Sequence, residues 1–398
     1  MSPEAIAVTG VGLVLPHGAG VDAADGVFEG RSAVAYLDDF PDVPGATGAR
    51  AHGFVPPRGT GHLDRAVQFA VAAADEAWTR SGIAAAPPPS DRVAVILSLS
   101  KGAVFALWER ARQGVAADGS VLDATPDVAA RVVAARLGLT GPMGAPVTAC
   151  ASGGHALVWG ARLIRRGVVD VAIVGAAEAS LCPAIVGSYR RMGVLAAAQG
   201  DPATSVRPFS ASRRGFAVGE GAGVLVLEST VSAQGRAAPT LALLGGWATG
   251  CQTSGLTEME PDGATLARLI RQALERAGTP AEAVDYVHAH GTATLTNDLA
   301  EARAVRAGLG RAAGRVSVSS TKGSHGHLLG ATTAVELVLT VLAIQRGMVP
   351  PTANLTDPDP RIGLNCTPLR PQRRAIGCAL KTASGFGGQM LAVVLAAP

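Results

Sequence analysis

Aromatic and charged residues are both scarce in this sequence. Aromatics make up 4% of its 398 residues and Asp, Glu, Lys and Arg together 16%, against 48% hydrophobic. That balance excludes a disordered chain, which needs low hydrophobicity and high charge. A net charge of +3 at pH 7, with no basic stripe, excludes phosphate-driven nucleic-acid binding. Only five cysteines occur, at irregular positions, so no disulfide framework is expected. No uninterrupted apolar run approaches the ~18 residues of a membrane span, despite a mean hydropathy of +0.29. Met1–Ala7 shows no charged region leading into an apolar one, so no signal peptide is expected and the chain reads as cytoplasmic. Lysine is nearly absent: of 34 basic residues, only Lys101, Lys322 and Lys381 are lysines. GC-rich codon usage accounts for such a bias. A lysine inside a motif can also be kept for its chemistry, since Arg and Lys differ in pKa range and donor geometry.

What is present is a strand–helix alternation punctuated by 50 glycines and 25 prolines. The patterns predict strands at 6–13, 93–97, 145–149, 168–175 and 221–228, and helices over 64–81, within 101–136 (with a polar break near Asp118) and from 150 to the Arg165-Arg166-Gly167 stop. The second half repeats the plan. It has strands at 240–245, 285–289, 316–320, 375–382 and 390–395, and helices at 262–277, 297–308 and 330–346. The alternation implies an α/β protein with sheets covered on both faces, in two halves, 1–235 and 236–398, that share one core.

Three segments carry chemistry. In Val147-Thr-Ala-Cys150-Ala-Ser-Gly153-Gly154 a strand runs into a small-residue turn with a cysteine at the mouth of a helix. The helix terminus favours a thiolate, so a lowered Cys150 pKa is predicted. Cys182, Cys251, Cys366 and Cys378 have no comparable setting and read as structural. His288-Ala-His290-Gly-Thr292-Ala-Thr294 and Ser319-Ser-Thr-Lys322-Gly-Ser-His325-Gly-His327 each follow a strand, where α/β sheets place active sites. A cysteine with histidines is a covalent-catalysis set, although each histidine alone also reads as a hydrogen-bonded core residue. No carboxylate stands at ligand spacing beside either His-x-His pair, so no metal is expected.

Thr148-Ala-Cys150-Ala-Ser-Gly, Arg207-Pro-Phe through Gly215 to Glu228, His290-Gly-Thr-Ala-Thr, Ser320-Thr-Lys322 to His327-Leu-Leu-Gly-Ala and Gly385-Phe386-Gly-Gly388 occur in this order. Together they resemble the β-ketoacyl-[acyl carrier protein] synthases of the KAS II type over nearly the whole chain. The resemblance implies a thiolase-like fold, five αβαβα layers from two duplicated βαβαβαββ halves. It implies decarboxylative condensation of an acyl group on Cys150 with a malonyl-[acyl carrier protein]. His290 and His327 match the histidines that hold the extender's thioester carbonyl, Lys322 the lysine that orders the site, and Glu336 the carboxylate beside it. The backbone N–H groups of Cys150 and Phe386 match an oxyanion hole, with Phe386 also a gate. Thr292, Thr294 and Gly387 match substrate-binding positions. No cofactor is implied: substrates arrive on carrier-protein phosphopantetheine. The implied partners are that carrier protein and either a second copy or a chain-length-factor-like homologue, with neither nucleic acid nor membrane.

Departures from the family pattern fall around the acyl tunnel and gate. Thr382-Ala-Ser-Gly-Phe-Gly-Gly-Gln replaces the usual last loop, Leu295 stands at a usual Pro, Ser98-Leu-Ser-Lys-Gly102 replaces a Gly-Thr-Gly-type segment, and residues 120–128 lack aromatics. These point to a type II polyketide ketosynthase rather than housekeeping fatty-acid synthesis. The alternatives are the fatty-acid enzyme, a non-elongating partner subunit, a thiolase-like enzyme acting on coenzyme A thioesters, and an acyltransferase or hydrolase of the same fold. Arg207, Arg213 and Arg214 suit an acidic carrier protein or a solvated loop equally.

Overall fold

Strand β1 (Ile6–Leu15) is buried at all ten positions, which demands cover on both faces of its sheet. The computed structural model describes residues 6–113, 121–198 and 200–398. After β1, the first half contributes β2 (Val93–Leu99), β3 (Met143–Gly144), β4 (Val171–Glu178) and β5 (Gly221–Ser229). The second half contributes β6 (Ala242–Cys251), β7 (Tyr286–His288), β8 (Ser317–Ser319), β9 (Cys378–Gly385) and β10 (Gln389–Ala396).

The two halves order their strands alike: β3-β2-β4-β5-β1 in the first, β8-β7-β9-β10-β6 in the second. In each, the first two pairings are parallel and the last two antiparallel. A short antiparallel contact, Ile6–Val8 of β1 against Ala242–Leu244 of β6, joins them.

Helices α1 (Arg65–Arg80) and α2 (Val128–Leu137) cover the outer face of the first sheet, packing on Val93, Val95 and Leu97. The alternate residues Ala94 and Ile96 point into the middle layer, as the two-residue strand period requires. That layer holds α3 (Ser152–Arg165), while α4 (Ala264–Ala277) and α5 (Leu295–Leu309) cover the outer face of the second sheet. The second middle helix is α6 (Thr332–Arg346), buried at every position from Thr332 to Ile344. The result is a five-layered αβαβα thiolase-like fold. Among the described residues, only the stretch Leu329–Arg346 is long and apolar enough to cross a membrane, and 83% of it is buried in this core.

Close layers need small residues at the crossings. A Cβ on Gly12 of β1 would lie 1.9 Å from the Ala73 carbonyl oxygen of α1. One on Gly153 would lie 2.5 Å from the Ala334 Cβ, where α3 meets α6. The second crossing sets the distance between the segments that carry Cys150 and His327.

Several boundaries differ from the sequence patterns. The strand predicted at 145–149 does not form; only Met143 and Gly144 pair with β2, because Pro146 has no N–H to give a ladder. The one predicted at 168–175 starts at Val171, since Asp170 is drawn into an ion pair with Arg92. β6 runs on to Cys251 because, past a register shift at Gly245, β10 pairs with it from Gly246 to Cys251. Helix occupies Val104–Gln113 and Val128–Leu137 of the 101–136 stretch. The predicted polar break at 118–120 lies outside the described residues.

Candidate active site

Cys150 sits in the short turn Ala149–Ala151 that leads into α3. Ala149 there has φ 49°, a left-handed value that costs a non-glycine residue energy and is common at functional turns. The turn is tied down on several sides. The Thr148 N–H donates to Ser152 Oγ (2.9 Å), which donates to the Ala149 carbonyl (2.7 Å). From α6, Thr333 Oγ1 donates to the Cys150 carbonyl (2.6 Å). Gly385 passes so close that a Cβ would lie 2.7 Å from the Thr148 carbonyl oxygen.

The lowered thiol pKa predicted from the helix terminus is overturned. Cys150 is only 7% exposed. Burial pushes its thiol up to about 11, against the opposing pull of Lys101, Lys322 and the Phe386 amide. Desolvation outweighs the nearby positive charges and the amide hydrogen bond. The resting sulfur is thus a neutral thiol whose proton must leave as an acyl group arrives. Alkylation of Cys150 by iodoacetamide is expected to quicken about tenfold per pH unit, without a plateau below about 11. A plateau near neutral pH would contradict this.

His290 lies just beyond β7. Its backbone N–H and that of Gly291 each donate to one oxygen of the buried Glu301 carboxylate, both at 2.7 Å. His327 lies before α6, and its Nδ1 is 2.7 Å from Thr332 Oγ1. With that hydroxyl as donor, the imidazole proton sits on Nε2. The two rings stand 5.5 Å apart at 81°. Burial first, and Lys322 second, hold both imidazoles well below the ordinary histidine range, so both are neutral. His290 Nδ1 is buried with no hydrogen-bond partner among the described residues. His288 and His325 do not join them; both bond Thr321 Oγ1, at 3.0 and 2.8 Å.

Behind the histidines lies a fully buried triad. Lys322 Nζ is 2.6 Å from Glu336 Oε1 and Lys381 Nζ 2.8 Å from Glu336 Oε2, all at 0% side-chain exposure. Burial would raise the Glu336 carboxyl, but the two lysines outweigh it and hold it well below the usual range. Lys322 also donates to the His290 carbonyl, so the triad fixes that backbone. The third lysine, Lys101, pairs with Glu178 at 3.3 Å. All three lysines of the chain therefore stand around one site.

Two cavities meet at Cys150 and Phe386. One, of about 70 Å³, is lined by His290, His327, Thr292, Thr294 and the stretch Leu256–Met259. The other, of about 270 Å³, is lined by Lys101, Val147, Tyr189 and Leu329. Gly387 is not in either wall; its amide holds the carbonyl of Leu256, which is (2.7 Å). Arg213 is fully buried against Asp359 (2.8 Å) and donates to the Thr294 and Leu295 carbonyls, so it braces the threonine loop and cannot face a partner. Arg207 holds the Thr204 carbonyl, and Arg214 is exposed. Sequence patterns did not single out Glu301, Glu178, Thr332 or Thr333; they marked Lys381 only by the scarcity of lysine, and Lys101 by that scarcity and by its place in the altered segment 98–102.

Comparison with known proteins adds to this geometry. The profile described as "Beta-ketoacyl synthase, N-terminal domain" matches residues 3–233, and that of the C-terminal domain matches 241–356. The chain is 35% identical over 414 residues to the tetracenomycin polyketide synthase ketoacyl synthase alpha subunit of Streptomyces glaucescens, covering 99% of this chain and 97% of that protein. It is 33% identical over 404 residues to 3-oxoacyl-[acyl-carrier-protein] synthase 2 of Synechocystis sp., covering 98% and 97%. Among solved structures, a type II PKS acyl-carrier protein in complex with its ketosynthase bound to the hexaketide matches with TM-score 0.89 and 30% identity. The ishigamide ketosynthase/chain length factor matches with TM-score 0.88 and 30% identity. Each comparison covers 99% of both chains.

Proposed function

The chain belongs to the β-ketoacyl synthase family and is a chain-elongating ketosynthase, and on that premise we propose how its own residues divide the reaction. Cys150 Sγ attacks the thioester carbonyl of an acyl group carried on a phosphopantetheine arm. The new C–S bond forms, the pantetheine sulfur leaves, and the thiol proton passes to it. The Cys150 and Phe386 N–H groups hold the oxyanion. A malonyl thioester then enters, and His290 and His327 donate N–H groups to its carbonyl oxygen. Loss of CO2 leaves an enolate that these donors stabilise as charge develops. The enolate carbon attacks the acyl carbonyl on Cys150, that C–S bond breaks, and the product is two carbons longer. Lys322 and Glu336 position His290 rather than touch the substrate, while Thr292 and Thr294 face the arm.

The observation that carries this reading is the meeting of two neutral, buried imidazoles with a cysteine thiol in one cavity. Residues 1–235 supply the nucleophile in this scheme and 236–398 the histidines. The partners are an acyl carrier protein, as in the solved ketosynthase–carrier-protein complex, and a second subunit, either a copy or a homologue of the kind in the ishigamide ketosynthase/chain length factor. No bound cofactor is called for. The altered segments at 98–102 and 382–389 and the polyketide relatives favour a type II polyketide pathway. Incubation with acyl-carrier protein is expected to add one acyl mass to the chain and none to Cys150→Ala, by intact-mass spectrometry. The same adduct on the variant would remove Cys150 from its role.

A further inference from the structure

Lys101 belongs to the segment that departs from the family pattern, and it lies in the wall of the 270 Å³ cavity that also exposes Cys150. Val147, Tyr189, Leu329 and Phe386 make that wall largely apolar, and Lys101 is its only charged residue among those described. At roughly 30 Å³ per heavy atom the cavity takes about nine atoms, so only the first part of an acyl chain shares it with the ammonium.

The pairing of Lys101 is incomplete. Its Nζ donates to Ser100 Oγ (2.9 Å) and, at a long 3.3 Å, to Glu178 Oε2. Glu178 does not depend on it: that carboxylate also accepts from Ser100 Oγ (2.6 Å), from the Gly330 N–H (3.1 Å) and from Ser180 Oγ. An ammonium has three donors, and the third has no protein partner among the described residues. The Lys101 side chain is 23% exposed, the Glu178 side chain 2%. A saturated chain on Cys150 would cover that N–H without replacing its water, whereas an oxygen on the chain would accept from it.

We infer that Lys101 is a specificity-determining residue, selecting acyl groups with an oxygen acceptor near the thioester, 3-oxoacyl or 3-hydroxyacyl chains, over saturated chains of equal length. The inference rests on the assignment of Cys150 as the acylated residue. Its test is the rate at which the full chain takes an acyl group from acetoacetyl-pantetheine or from butanoyl-pantetheine, followed by intact mass. In either case the Cys150 S–C bond forms, the pantetheine thiol leaves and the cysteine proton ends on it.

Wild type is expected to favour acetoacetyl by about tenfold or more, the low end of what an unmatched buried donor costs. Lys101→Met is expected to bring the two rates within about twofold, because no donor remains to be matched. Lys101→Gln keeps an N–H without the charge and is expected to fall between; it also serves if the methionine variant does not fold. An unchanged preference in these variants overturns the inference. So does an equal slowing of both donors, which would mean that Lys101 assists the thiol rather than choosing the chain. Acylation by neither donor in wild type would instead remove the role of Cys150.

Discussion

Changing either His290 or His327 to alanine is expected to slow decarboxylation of a malonyl thioester by roughly 10²–10³-fold, the loss typical of one donor from a two-donor oxyanion site. Each ring is buried and neutral, so each offers an N–H rather than a full charge. In this setting a removed donor cannot be replaced by bulk water. Because the two act on one oxygen, the double variant should lose far less than the product of the single losses. Cys150→Gln should still release CO2, since the sulfur takes no part in that half-reaction. Labelled CO2 release from malonyl-carrier protein measures all four variants. If the histidine variants decarboxylated at the wild-type rate while Cys150 acylation was lost, an acyltransferase would be the better reading.

The second large effect concerns Glu336. Its carboxylate is shared between Lys322 and Lys381, and none of the three side chains is exposed. Glu336→Ala would leave two ammonium groups facing one another without water, and a loss of about 3–5 kcal/mol in unfolding free energy is expected. Urea denaturation measures it. Adding Lys381→Met should restore part of the loss, because one uncompensated charge is then removed. A Glu336→Ala protein as stable as wild type would show that the lysines find other partners.

The fold was largely legible because strand and helix periods are local signals. The unbroken apolar run Val93–Leu97 reads as a buried strand, and in the fold Ala94 and Ile96 pack on the face opposite to Val93, Val95 and Leu97. The strand at 145–149 failed because its pairing depends on an edge partner that Pro146 cannot address. Cys150, His290, Lys322 and His327 were legible because each sits in a compact sequence motif, although the strand expected before Cys150 does not form. Glu301 and Glu178 were not: Glu301 reaches back from α5 to the His290 and Gly291 amides and Glu178 reaches the distant Gly330, and nothing beside either carboxylate in the sequence marks the contact. The same reason misled the thiol assignment. Helix position can be read locally, but the burial that raises the Cys150 pKa is a property of the packed layers. The lysine scarcity first met as a codon effect acquires a second meaning, since Lys101, Lys322 and Lys381 all stand beside a carboxylate at the one site.

One measurement bears most directly on the assigned chemistry. The chain pre-acylated on Cys150 is mixed with malonyl-carrier protein in a single turnover, and CO2 and the carrier-bound product are followed together. The account requires one CO2 per acyl group consumed, a 3-oxoacyl product two carbons longer and a free Cys150 thiol. Return of the unextended acyl group to the carrier protein, with no CO2 released, would contradict it.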